Sequence, residues 1–212
     1  MTLHRDEDGK YWDTWDGQPV WGMIPATAWE AATVEDVTDE RDGVGEFLRA
    51  QRERLNVEML EFGQFSVRPL DRFDWFHGGR LWSPVPPSRF APVILSYPAV
   101  TERLAAVLDH PDLSLLVKFE EVSPLALDGL LAAQLVDGGA YSSPRDYPQK
   151  RAKELGAGFC RTLFGERYED VQVAHADFAW SRWFFDIAWD RTWVISDKRE
   201  QRVTVLCTSD TD

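Results

Sequence analysis

The chain has 212 residues, 44% hydrophobic and 28% charged, which suits one folded domain with a core and excludes intrinsic disorder. Its formal charge of −13 repels phosphate and argues against direct nucleic-acid binding. Ten Trp, twelve Phe and five Tyr make it aromatic-rich, and such rings serve cores and binding surfaces alike.

Residues 1–30 read as short strands joined by tight turns at Asp8-Gly9 and Asp16-Gly17, flanked by Tyr11, Trp12, Trp15 and Trp21. An acidic loop, Glu35 to Asp42, leads to a helix capped by Asp42. Its apolar positions Val44, Phe47, Leu48, Leu55 and Met59 follow a 3.6 period, with Gly63 as a left-handed stop. Residues 64–90 read as irregular and linker-like, since Pro84, Pro86 and Pro87 prevent regular pairing and His77-Gly78-Gly79 marks a turn. Composition is similar on both sides of that stretch, so the expectation is a single domain over 1–212.

Pro92 to Tyr97 reads as a buried strand, Val100 to Leu108 as a short helix, and Leu113 to Phe119 as a strand. Ser123-Pro124 opens a helix that Gly138-Gly139 ends. Another helix runs from Pro148 to Phe164 with Ala152, Leu155, Phe159 and Leu163 on one face. Gly156 and Gly158 inside it invite close approach by a neighbour.

Odd-numbered positions are apolar in three later runs: Val171 and Val173; Trp183 through Ile195; Val203, Val205 and Cys207. That period of two predicts an antiparallel meander with one dry face over about 170–208. Parity then sets the register, because a one-residue slip turns every side chain over. It predicts a three-residue loop at Ala179–Ser181, His175 opposite Phe185, and Ile195 opposite Val205, with Trp180 left in a loop. The predicted class is α+β, an antiparallel sheet packed by three to four helices.

Phosphate-binding loops, dinucleotide fingerprints, nucleophile elbows, zinc-protease motifs and EF-hand loops are absent, and no cofactor or metal is implied. His175 and Asp177 are the one polar interruption of the predicted dry face. On a strand they lie about 6.6 Å apart, close enough for an imidazole and a carboxylate to orient one another. Asp186 and Asp190 fall on the other face, about 13 Å apart, too far for one metal. Cys160 and Cys207 read as core thiols. Two lone cysteines and the absence of a signal-peptide pattern or membrane-length apolar run predict a cytoplasmic protein without membrane association.

Charge is unevenly spread: residues 1–44 hold eleven Asp/Glu against three Lys/Arg. A compact acidic chain with loop aromatics and no reaction motif fits a non-catalytic module for a basic protein partner, such as an immunity protein against a basic toxin. The expected contact residues are Asp6, Glu7, Asp8, Trp12, Asp13, Trp15 and Asp16. The alternative is a small hydrolase or transferase using His175 and Asp177, with Cys160 or His77 brought in by folding. A nucleic-acid mimic is a minor third reading.

Overall fold

The computed structural model describes residues 32–56, 59–68, 91, 94–112, 118–143 and 146–211, and the backbone of three short strands near the start. Those three, β1 (Leu3–Arg5), β2 (Tyr11–Trp15) and β3 (Gln18–Val20), form a small antiparallel sheet of their own. The expected turns at Asp8-Gly9 and Asp16-Gly17 lie outside the described residues, as does the turn at His77-Gly78-Gly79.

The main sheet has six antiparallel strands. In chain order they are β4 (Thr33–Asp36), β5 (Leu60–Arg68), β6 (Glu120–Val122), β7 (Val171–Ala176), β8 (Arg191–Asp197) and β9 (Arg202–Thr208). In space the order is β4-β5-β9-β8-β7-β6, so the meander β7-β8-β9 is extended on both sides. With helices α1 (Asp42–Arg54), α2 (Pro98–Arg103), α3 (Pro124–Asp137) and α4 (Gln149–Phe164), the chain is α+β, as predicted.

Cores lie on both faces of the sheet. On one, α1, α3 and α4 bring Phe47, Leu48, Leu131, Leu155 and Phe159 against Phe62, Val173, Trp193, Ile195 and Leu206. On the other, Ile94, Leu95, Val100, Leu104 and Trp180 cover Phe65, Ala174, Val194, Val203 and Val205. From their second residue to their last, β8 and β9 are buried throughout. Burial on both faces replaces alternation with nearly continuous apolarity.

This corrects the parity reading. The β7–β8 pairing does join odd to odd, but His175 faces Trp193, not Phe185, because residues 177–190 form a long connection. Within it the expected polarity inverts, with Phe184 buried and Phe185 exposed. The β8–β9 pairing joins odd to even, with Ile195 opposite Thr204. The physical cause is the four-residue turn 198–201. Asp197 Oδ1 accepts from the backbone N–H groups of Arg199 and Glu200 (3.1 Å each), and Gln201 takes a left-handed φ of 52°.

Three local expectations also fail. Gly63 does not stop a helix: α1 ends at Arg54 and Gly63 lies inside β5, where a Cβ would come within 2.7 Å of the Phe65 ring. Residues 64–68 of the expected irregular stretch are strand, and 69–90 lie outside the described residues. Of the strand expected over Pro92 to Tyr97, residues 92–93 lie outside the described residues; Ile94 is helical and 95–97 turn into α2, whose first residue is Pro98, so no strand runs through 94–97. Of the strand expected at Leu113 to Phe119, residues 113–117 lie outside the described residues; β6 begins at Glu120.

The α3 and α4 boundaries match the sequence signals. Pro124 occupies the first turn of α3, and Gly138 (φ 66°) and Gly165 (φ 59°) end the two helices in left-handed conformations. The close approach expected at Gly156 and Gly158 is present. A Cβ on Gly156 would overlap the Asp128 carbonyl of α3, and Gly43 of α1 sits against the Gly158 carbonyl. Helix propensity alone favours Gly156→Ala by about 1 kcal/mol, yet the clash reverses the sign. The variant is expected to lose about 1–3 kcal/mol in urea unfolding. Gly129→Ala is the control, since its Cβ meets only Lys153 Nζ at 3.5 Å, and that variant should gain stability.

Candidate functional site

Polar side chains collect where β5 begins and β7 and β9 end. His175, near the end of β7, stacks on Trp193 of β8 with ring centroids 4.0 Å apart. Trp193 Nε1 donates to Gln134 Oε1 of α3 (2.8 Å), and Gln134 Nε2 donates to Thr208 Oγ1 of β9 (3.0 Å). One glutamine thus ties a helix to two strands inside the core. Gln51 of α1, only 1% exposed, lies beside this row with its Oε1 buried and without a hydrogen-bond partner. The slot lined by Gln51, Gln134, Trp189, Arg191 and Thr208 holds about 10 Å³, room for roughly one water molecule.

Two buried aspartates close this end. Asp190 accepts from Ser209 Oγ (2.5 Å) and from the Ile187 backbone N–H (3.1 Å). Asp210 accepts from the backbone N–H groups of Asn56 (3.0 Å) and Ala140 (2.8 Å), pinning the segment after β9 to the ends of α1 and α3. Arg54 donates to the carbonyls of Leu135 and Val136, which the end of α3 leaves unpaired, and to that of Ser143 beyond it (3.1 Å each). Asp190 was expected on an open strand face, and Asp210 and Gln134 carry no sequence signal at all. Their roles arise from contacts between segments far apart in the chain.

The predicted pair is not hydrogen-bonded, although the Asp177 charge reaches His175. His175 Nε2 is buried without a hydrogen-bond partner, while Asp177 lies past the end of β7 and is exposed. Burial, reinforced by the charge of Arg191 and opposed by Asp177, pushes the imidazole down to about 4. Cys160 and Cys207 lie in the cores on opposite faces of the sheet, so they cannot pair with each other. Burial raises both thiols to about 12, leaving neither as a thiolate near neutrality. Among the described residues no group of three or more His, Cys, Asp or Glu is placed to hold a metal, and no helix is long and apolar enough to cross a membrane.

Trp180 lies in a loop as expected, yet it is buried, and its Nε1 donates to Thr192 Oγ1 (2.8 Å). Of the expected contact residues, Trp12, Asp13 and Trp15 fall in β2, where only the backbone is described. Asp6, Glu7, Asp8 and Asp16 lie outside the described residues.

The acidic character of residues 1–44 continues onto described surface. Glu35 and Asp36 of β4, Glu40 and Asp42 are all exposed. Some of these acids, with their neighbours, are paired: Arg68 with Glu35 (3.6 Å), Arg52 with Glu40 (3.3 Å) and Arg41 with Asp39 (2.6 Å). Hydrogen bonds from Arg41 hold the Asp39 carboxyl down at about 2. Beside β4 a wide groove of about 560 Å³ is lined by Glu35, Asp36, Ala99, Glu102 and Arg103.

Comparison with protein-family models, with curated proteins and with solved structures finds no match.

Two outcomes test this description. Asp210→Ala strands two backbone donors and should cost about 2–4 kcal/mol in urea unfolding, with Asp210→Asn recovering part of the loss. For His175 the sign is set by a native pKa of about 4 against 6.5 when unfolded. The unfolded chain takes up a proton the native site refuses, so stability present above pH 6.5 is lost as pH falls toward 4. Replacing His175 with Phe should flatten the stability curve in that window by about one proton. Parallel curves for the two proteins would show that His175 is not the group responsible.

Proposed function

We propose that this chain is a non-catalytic protein-binding module that recognises a basic partner protein, in the manner of an immunity protein that neutralises a basic toxin. The supporting observation is the concentration of charge. Residues 1–44 carry eleven acids against three bases, and the described part of that segment exposes Glu35, Asp36, Glu40 and Asp42. A field of one sign speeds encounter with the opposite sign and rejects like-charged proteins. The polar groups at the sheet end do not compete with this reading, because Gln134, Asp190 and Asp210 are bonded within the protein.

A second reading, a small hydrolase or transferase, has in its favour the unpartnered Nε2 of His175 and the unpartnered Oε1 of Gln51 at the same end of the sheet. Against it stand the exposed position of Asp177, the high thiol pKa of Cys160 and a neighbouring slot of about 10 Å³.

The decisive measurement starts from the partner that co-purifies with the chain from its native cell. Association should slow by roughly tenfold or more between low and physiological salt. Replacing Asp6, Glu7, Asp8, Asp13 and Asp16 together with Lys should slow it comparably at low salt. An association rate unchanged in that variant would remove the electrostatic argument.

A further inference from the structure

We infer that the outer edge of β6, with the groove beside it, seats an extended basic segment of a partner protein. This rests on the reading of the chain as a binder of basic protein, and it adds where and how such a partner docks. β6 ends the sheet: it pairs with β7 on one side, and no strand lies beyond it among the described residues. An edge of this kind presents backbone donors and acceptors to an incoming strand.

Where β6 runs into α3, a groove of about 610 Å³ opens between Ser123–Leu125 and residues 166–170, with Arg199 at its side. Leu125 is 72% exposed and Tyr168 39%, and both line this one groove. An exposed leucine beside an aromatic on a polar rim is the composition of a docking spot. The groove beside β4 has no such apolar pair, and α2 packs against β4.

Charge decides what fits. Glu120 and Glu121 are exposed on the strand itself, and Glu166, Glu169 and Asp170 belong to the groove. The nearby cations are largely engaged. Arg167 holds Asp197 at 2.6 Å and stands 4.0 Å from Glu200, while Lys198 is half-buried with Asp170 and Glu121 acting on it. Lys118 and Arg199, both exposed, are outnumbered by Glu120, Glu121, Glu166, Glu169 and Asp170. The complement is a short extended segment with Lys or Arg beside Glu120 and Glu121, and one apolar side chain against Leu125 and Tyr168.

The test uses the full chain and a fluorescein-labelled peptide carrying two adjacent lysines, one for each face of the strand on which Glu120 and Glu121 stand, and ending in leucine, followed by anisotropy. Saturable binding is expected, weakened at least tenfold by Leu125→Ser with Tyr168→Ser and by Glu120→Lys with Glu121→Lys. Because these side chains are exposed, circular dichroism and urea midpoints should stay unchanged. A peptide N-methylated at alternate residues should also lose at least tenfold, since it cannot complete the strand pairing. Undiminished binding of the methylated peptide, or to the Leu125/Tyr168 variant, would overturn the inference. The five-lysine variant at Asp6 to Asp16 separates the two proposals: it should slow partner association yet leave the peptide affinity within twofold. If the groove variants lose the peptide while partner association ignores salt, the groove stands and the electrostatic reading falls. If partner association is salt-sensitive but the peptide does not bind, the groove falls alone.

Discussion

The pairing of β5 with β9 is the contact from which the rest of the architecture follows. It runs through seven positions, from Leu60 opposite Thr208 to Ser66 opposite Arg202, and joins segments well over a hundred residues apart in sequence. Without it β9 is the open edge of a three-stranded meander. With it, β9 becomes an interior strand like β8, and α1, which leads into β5, is carried onto the same face as α3 and α4. The same pairing sets Phe65 against Val203 on the opposite face, where the segment around α2 packs. Loop closure over that distance is entropically costly. Two apolar layers gained at once offset it.

A sheet covered on both faces has nowhere to put polar side chains except its ends and edges. That constraint explains the crowding of Gln51, Gln134, Asp190 and Asp210 at one end. An unpaired buried carboxylate is expensive, and here each finds donors: Ser209 and Ile187 for Asp190, Asn56 and Ala140 for Asp210. Trp193 shows the same logic, since its ring fills the core while its N–H reaches Gln134. Such a network fixes one arrangement of helices on strands.

Sequence patterns were informative wherever a segment met solvent on one side. The ends of α3 and α4 follow from Ser123-Pro124, Gly138 and Gly165, and Gly156 and Gly158 announced the close helix crossing. Strands β7 and β9 were placed within a residue or two. The readings failed for two reasons. Trp183, Phe185, Ile187 and Trp189 alternate like a strand, yet they lie in the connection before β8, where Phe185 is exposed and Trp183, Ile187 and Trp189 are half-buried. In β8 and β9 both sides are dry. When even and odd positions are both apolar, parity no longer reports a face. The register of β8 on β9 depends instead on Asp197 accepting two turn N–H groups, a local hydrogen-bonding choice that hydrophobic periodicity does not encode. The same limit applies to His175. Its strand was predicted, but its partner Trp193 depends on a register that only the fold supplies.

Both edges of the main sheet are short and acidic: Thr33–Asp36 at one side, Glu120–Val122 at the other. Short charged edges are a common defence against strand pairing between copies of one protein. If β6 met β6 of a second copy, Glu120 and Glu121 would face carboxylates of the same sign, and like charges directly opposite destabilise a pair. The same two residues place no such penalty on a strand carrying Lys or Arg. In the docking we propose, such an edge would refuse its own kind and accept its opposite, so protection from self-association and selectivity for a basic partner would rest on one property. The same docking would account for the placement of Leu125 and Tyr168. Beside a neutral edge an exposed leucine and tyrosine invite aggregation, whereas beside two glutamates they are reachable chiefly by a chain that brings the compensating charge.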